Sequence, residues 1–395
     1  KGRGAMSGAP VLSIRGLTTL FPGVRGPTII VDDVSLEVAR GETLAVVGES
    51  GSGKTMTFHS ALGLVPHPGR VTAGQVLLDG TDPAKIDYAK LPLIPVQHAV
   101  VSAPDAAWKF RLHSYLIHHD GKFWCMWSHG PEVEDLPTQH LRYAVSDDGL
   151  KWSEPKVVMP APKEPYAYIA RGFWLYNGEL LALAAHYKDK GAFGVNKELK
   201  LEAFAYDKTT DAWKFKGVLF ENAINNFPPQ KRPTGDWLMT RRDARFNVYM
   251  LAGGSKGIDD WQSIPVVNRL ESIKTTKLSP DEPIWYDLPD KNFVALFRDN
   301  GGSSKLFRAF STDNGQSWSK PTLTNYPNAT SKLFSLRMSS GPRLLISNAN
   351  PNLGRRELHL ALSDDGLVFT RLARLDIPSP RPGTLQYPQI GRAHV

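Results

Sequence analysis

A short pattern recurs five times along the chain and restricts the fold more than any other feature. Asp120-Gly121 leads into the apolar run Lys122-Phe123-Trp124-Cys125-Met126-Trp127. Its counterparts are Asn177-Gly178 before Leu180-Leu181-Ala182-Leu183, Thr234-Gly235 before Trp237-Leu238-Met239, Asp290-Lys291-Asn292 before Phe293-Val294-Ala295-Leu296, and Ser340-Gly341 before Leu344-Leu345-Ile346. Residues 121, 178, 235, 291 and 341 are separated by 57, 57, 56 and 50 positions. A turn and a strand repeated at that period suit the four-stranded blade of a β-propeller. Blades are expected near 110–158, 166–218, 227–266, 282–323 and 328–374. The first strand of a sixth is expected at Thr384-Leu385-Gln386-Tyr387-Pro388-Gln389-Ile390.

A second motif rides on this repeat. Ser311-Thr312-Asp313-Asn314-Gly315-Gln316-Ser317-Trp318 fits the Asp-box pattern S-x-D-x-G-x-S/T-W in full. Residues 145–152 (with Asp147, Gly149 and Trp152) and 362–369 (with Asp364, Gly366 and Phe369) are near matches, and 206–213 is a degenerate one. The carboxylate is expected to accept backbone N–H bonds inside a tight turn. The glycine supplies a positive φ and the aromatic ring plugs the blade. These aspartates are read as structural, on the rim, with no part in chemistry.

Composition excludes several classes. Cys125 is the only cysteine of 395 residues, so an internal disulfide and a thiolate metal site are ruled out. No apolar run approaches the length of a transmembrane helix, and no signal peptide is readable behind Lys1. The net charge of +8 belongs wholly to residues 84–395, where 40 Lys/Arg face 32 Asp/Glu. On charge alone this is read as a diffuse solvated surface or as a field that attracts an anionic ligand. The dense Lys/Arg runs that mark nucleic-acid binding are absent.

The first 83 residues read differently. Val11-Leu12-Ser13-Ile14 and Val34-Ser35-Leu36-Glu37-Val38 suggest strands, and Leu44-Ala45-Val46-Val47 a buried third. Gly48-Glu49-Ser50-Gly51-Ser52-Gly53-Lys54-Thr55 then follows, leading into an expected helix over 56–64. This is G-x-x-x-x-G-K-T: glycine-rich backbone to cradle phosphates, Lys54 for the terminal phosphates, Thr55 for Mg²⁺. With Val31-Asp32-Asp33-Val34-Ser35-Leu36 and Ala73-Gly74-Gln75-Val76-Leu77-Leu78-Asp79-Gly80, the stretch resembles the start of an ABC-transporter ATPase of the peptide-importer type. Phe21 sits where that family stacks the adenine. The resemblance implies ATP and Mg as cofactors of this piece, bound through Phe21, Gly48, Gly51, Gly53, Lys54 and Thr55. It stops near Asp82. No Leu-Ser-Gly-Gly-Gln signature, no apolar strand ending in Asp-Glu and no switch histidine follow. ATP binding is expected to be weak at most, hydrolysis is not expected, and neither is engagement of permease partners.

The propeller resembles the sialidase superfamily over most of 95–390. Phe110-Arg111-Leu112-His113 is similar to the family's F/Y-R-I-P motif, whose arginine opens an arginine triad, with His113 in place of proline. Asp281-Glu282-Pro283 to Leu296-Phe297-Arg298 resembles the segment in which a Glu opens a blade and an Arg closes its next strand. Ser347-Asn348-Ala349-Asn350-Pro351 to Arg355-Arg356-Glu357-Leu358 resembles the segment of the third arginine, with Arg355 favoured by spacing and Arg356 beside it. Tyr387 stands where the family keeps its nucleophile, and Asp135 in the loop Gly130-Pro131-Glu132-Val133-Glu134-Asp135 where it keeps an acid/base. The resemblance implies a mainly β, six-bladed propeller with its last blade truncated, joined to a partial α/β P-loop fragment over 1–83. It implies retaining cleavage of a terminal acidic sugar. The arginines and His113 bind substrate, Glu282 takes the Tyr387 proton and Asp135 protonates the leaving oxygen. No cofactor is implied for the propeller, and an acidic carbohydrate is its partner.

Two alternatives stay open. His113, His118, His119, His129 and His140 crowd blade one, as suits a propeller lyase acting on uronate polysaccharides or another acidic-sugar glycosidase, and a non-catalytic sugar-binding propeller fits the same repeats. Arg241-Arg242-Asp243-Ala244-Arg245 either lines the pocket or forms an exposed charge cluster. The abrupt join near residue 84, the adapter-like ending Ile390-Gly391-Arg392-Ala393-His394-Val395 and the internal start at Met6 suggest a chimeric reading frame. In that case the compartment stays open: an exported parent for the propeller, a cytoplasmic one for the ATPase piece. Exposed sheet edges, a broad unfolding transition and aggregation are then expected.

Overall fold

A computed structural model describes residues 10–378, except 24–25, 50, 63–64, 67–68 and 79–85, together with 385 and 388. The chain divides into two compact units, Lys1–Leu91 with Thr322–Pro327, and Pro92–Pro321 with Asn328–Val395.

The larger unit is a β-propeller. Its first sheet runs Phe110–His119, Lys122–Gly130, His140–Ser146, Lys156–Met159. The second runs Tyr166–Tyr176, Glu179–Lys188, Lys200–Asp207, Ala212–Glu221, and the third Gln230–Lys231, Trp237–Arg242, Val248–Gly253, Trp261–Val267. The fourth contains Pro280–Asp287, Phe293–Asp299 and Lys305–Ser311. The fifth has Phe334–Arg337, Arg343–Ser347, His359–Ser363 and Arg371–Asp376. Leu93–Pro95 adds a parallel outer strand to this last sheet, with Arg374 opposite Leu93 and Asp376 opposite Pro95. The expected sixth strand, including Tyr387, lies outside the described residues.

The strands that open successive blades meet near the axis. The Tyr115 hydroxyl on blade one donates to the Asn226 carbonyl before blade three and accepts from Lys332 before blade five. The second blade packs on both faces. In Glu179–Lys188 the side chains of Leu180, Ala182 and Ala184 join the core with blade one, whereas Leu181 and Leu183 join the core with blade three. Strand alternation therefore appears as an unbroken apolar run, because both faces are dry.

The Asp-box turns form as read, with one correction. In the full box, Asp313 takes the Ser311 and Ser317 hydroxyls at 2.7 and 2.6 Å and the Ser317 N–H at 2.9 Å. Gly315 holds φ +84 where a Cβ would meet Leu238 Cδ2 at 2.9 Å. In the near matches the carboxylate that closes the turn is Asp148 and Asp365, one residue after Asp147 and Asp364. Asp148 accepts from Leu150 N and Lys151 N, and Asp365 from Leu367 N and Val368 N, all at 2.8 Å. The reason is reach: Ser146 and Ser363 bond the carboxylate two residues on, and the turn is one residue shorter before its glycine. Asp147 and Asp364 instead face Lys122 and Arg371.

The smaller unit is a three-stranded antiparallel sheet with Leu12–Phe21 between Thr28–Val38 and Arg70–Leu78. A helix, Lys54–Ala61, packs Met56 and Ala61 against Ile14, Leu17 and Val31. The expected buried strand 44–47 is not a strand. Leu44, Val46 and Val47 are exposed, Val47 to 88%. A buried strand of this kind needs a ladder on each edge, and among the described residues no strand pairs with it.

Candidate active site

Two bulges build the site. On blade one the register slips between Leu112 and Tyr115, with His113 at φ +54. On blade four it slips between Asp281 and Ile284, with Glu282 at φ +46. A bulge spends one residue out of register, so the side chain at that position turns off the regular alternation. Both bulged side chains are buried near the axis.

His113 Nδ1 lies 3.1 Å from the Ser128 hydroxyl and Nε2 lies 2.9 Å from Glu134 Oε1. Ser128 Oγ already accepts from Ala170 N at 2.9 Å. Its own proton is therefore available to Nδ1, which assigns the ring proton to Nε2, toward Glu134. Burial pushes the imidazole down to about 4 against the pull of Glu134, so it is neutral near pH 7.

Asp135 closes the loop with φ +64, its amide on Gln139 Oε1 and its carbonyl accepting from Gly191. The Tyr187 hydroxyl stands 3.4 Å from Oδ1. Burial and the neighbouring Glu134 carboxylate raise its pKa to about 6, against the opposing pull of Arg171, Tyr187 and Arg242. Glu282 is held the other way. Oε1 is 3.2 Å from Arg242 Nη2 and Oε2 is 3.0 Å from Arg298 Nη1, while Arg242 Nη1 also meets Asp281 Oδ2 at 3.1 Å. Burial opposes its charge, but Arg298 and Arg242, then Lys332 and Arg171, overcome that and keep it ionised. One site thus holds two carboxyl groups pushed in opposite directions.

Of the residues singled out in the sequence, Asp135, Glu282, Arg298 and His113 come together. Arg111 does not join them. Its guanidinium bonds Ser102, the Trp108 carbonyl and Asp105, because the bulge at His113 separates the two from a common face. Arg355 donates to the Thr330 carbonyl at 3.0 Å and Arg356 is exposed. Tyr387 lies outside the described residues. Of the five histidines, only His113 is in the cluster. His129 and His140 pack around Trp108, His118 packs against Phe123, and His119 meets Asp120. The arginine cluster divides by strand alternation. Arg242 faces the site, whereas Arg241 lies between the Phe220 and Tyr249 rings and bonds the Asn222 carbonyl. Sequence reading passed over Tyr115, Arg171, Tyr187 and Lys332, whereas Glu134 competes there with Asp135 for the acid position. The signal available for Arg171 was a single charge inside the apolar strand Tyr166–Tyr176.

At the P-loop, Lys54 Nζ bonds the Gly48 and Glu49 carbonyls at 2.7 and 2.6 Å and Ser52 Oγ at 3.1 Å. Gly53 caps the helix at φ +83, where a Cβ would meet Ile30 O at 2.8 Å, and Gly51 holds φ +87. Thr55 is exposed at the helix start, and the Phe21 ring lies on Gly69. Among the described residues the lysine is held by oxygens of its own loop, which a phosphate can replace. The donor set therefore fits a phosphate with Mg²⁺.

Residues 121–394 match the family model of the BNR repeat-like domain. The chain belongs to that family. Its fold is similar to a protein of unknown function from Dyadobacter fermentans (TM-score 0.58, 15% identity, 74% of this chain and 90% of that one). It is also similar to a Hadza microbial sialidase (0.57, 13%, 82% and 68%) and to the NanB sialidase of Streptococcus pneumoniae (0.53, 11%, 78% and 68%). Residues 31–108 match the ABC transporter family model. The N-terminal region is 43% identical over 86 residues to a peptide import ATP-binding protein of Brucella ovis. It is 38% identical over 92 residues to the dipeptide transport ATP-binding protein DppD of Haemophilus influenzae. The chain spans 26% and 28% of those two relatives. Among the described residues no helix is long and apolar enough to cross a membrane.

Proposed function

We propose that the BNR propeller is a sialidase-like glycoside hydrolase that removes a terminal acidic sugar with retention. The observation that carries this reading is the pairing of a carboxyl raised to about 6, Asp135, with an ionised carboxylate, Glu282, in one buried cationic cluster. Asp135 gives its proton to the leaving oxygen and then draws one from water. Glu282 takes the proton of the Tyr387 phenol as that oxygen attacks the anomeric carbon. A neutral phenol suits an anomeric centre that bears a carboxylate, since a charged nucleophile would be repelled there. Of the substrate-binding residues the resemblance implies, Arg298 beside Glu282 and His113 beside Glu134 stand in the cluster and serve this reading. A fluorogenic sialoside tests this directly: dye release, lost in Asp135→Asn, is the expected result.

A lyase reading rests on one observation, the neutral imidazole of His113 inside the cluster. It requires an unsaturated product that absorbs in the near ultraviolet, with no dye released. Binding without any product marks a sugar-binding propeller.

For the N-terminal region, Lys54 and Thr55 would hold the terminal phosphates and Mg²⁺ of ATP. Bound ATP supplies a transferable phosphoryl group, but the motifs that complete such a site are absent from the sequence. ATP turnover that disappears in Lys54→Ala would overturn the expectation of no hydrolysis. The permease partners of ABC ATPases are not expected to dock.

A further inference from the structure

We propose that Arg171 is the seat of the substrate's carboxylate, a role that the family resemblance does not assign to it; the proposal rests on the acidic-sugar reading above. Charge pairing at the axis leads to this residue. Arg242 and Arg298 face Asp281 and Glu282 at 3.0 to 3.2 Å, so both guanidiniums are already compensated by carboxylates of the protein. Lys332 donates to the Tyr115 hydroxyl at 2.9 Å and stands 4.9 Å from the centres of the Tyr115 and Phe227 rings. Glu134 is engaged by His113.

Arg171 differs from Arg242 and Arg298 in making no ion pair with a carboxylate among the described residues. Its side chain is buried, at 2% exposure, yet Nε and Nη1 have no hydrogen-bond partner among the described residues. The base of the side chain is fixed, because its own carbonyl accepts from Asn225 Nδ2 at 2.9 Å. Asn226 contributes a second open group: its side-chain nitrogen and oxygen are both buried without a partner among the described residues. Asn226 O and Lys332 Nζ meet at the same Tyr115 hydroxyl, and the charge of Arg171 acts on that phenol as well. A buried guanidinium with unused N–H groups is retained only where something anionic completes it. A planar carboxylate offers the acceptors that such donors suit, through charge-assisted bonds. Asp135 and Glu134 lie within electrostatic range of Arg171. A sugar anchored there by its carboxylate would therefore present its leaving oxygen to the proposed acid.

The test compares each acid with its methyl ester, by calorimetry on the full chain, using N-acetylneuraminate and glucuronate as probes. The wild type is expected to prefer the acid of one probe by on the order of 10² to 10³, the loss typical when one partner of a buried charge pair is removed. In Arg171→Met that preference falls to near unity, and thermal unfolding is unchanged or moves upward, because two buried N–H groups without hydrogen-bond partners among the described residues have gone. If Arg171→Met does not fold, Arg171→Lys keeps the charge without the planar donors. An intermediate preference is then expected. A wild type that prefers the acid while either folded variant keeps the full preference overturns the assignment and leaves the acidic-sugar reading intact. A wild type without any acid preference overturns both.

Discussion

The propeller and the N-terminal region treat their apolar strands in opposite ways. In the propeller, Glu179–Lys188 is buried on both faces by the blades on either side. In the N-terminal region, Leu44, Val46 and Val47 carry a comparable apolar pattern and are exposed, as are Ile29 and Ile30. The local sequences are equally good strands. What differs is the supply of partners, since a repeat brings its own neighbour every fifty-odd residues. A motif such as the P-loop completes its turn and its helix cap locally, but a strand does not complete itself.

The largest effect should fall on the proposed chemistry. Asp135→Asn is expected to lower sialoside hydrolysis by about 10² to 10⁴, the range for losing a positioned acid. The rate of the wild type should fall as pH rises through about 6, when Asp135 loses its proton. The linkage to stability has a definite sign. The folded-state pKa lies above the ordinary 3.8, so stability drops as pH rises between those values. Asparagine escapes this. The variant's advantage in denaturant unfolding should therefore grow from zero below pH 3.8 to about 1–3 kcal/mol above pH 6. A flat difference across that window would remove the assignment of Asp135 as the raised acid.

Next comes the ion cluster. Glu282→Gln leaves Arg242 and Arg298 short of a buried charge and should cost about 3–5 kcal/mol in urea unfolding of the propeller. Core truncation sharpens the contrast between the two regions. Trp174→Ala, at 1% exposure, should cost about 3–5 kcal/mol, whereas Val47→Ala should change stability by less than about 0.5 kcal/mol. A large loss at Val47 would mean that this stretch is packed after all. The smallest contrast is inside the boxes. Asp365→Ala removes the carboxylate that closes its turn and should cost about 1–2 kcal/mol. Asp364→Ala, which loses only an exposed pair with Arg371, should cost about 0–1 kcal/mol. Equal effects would break the one-residue reassignment.

The blade repeat, the turns between strands and the P-loop motif were legible in the residues alone. Each is a local device: a glycine at positive φ, a carboxylate closing its own turn, alternation along one strand. The sequence also pointed to Asp135, Glu282 and Arg298 through a family resemblance. The choice between neighbouring residues came from the assembled fold. Arg242 rather than Arg241 faces the site because alternation must be counted from a strand whose register is known. His113 rather than Arg111 enters because a bulge, invisible in the residue pattern, resets that count. Arg171 and Lys332 entered last of all. Their positions depend on strands of different blades meeting near one axis, and no local pattern carries that information.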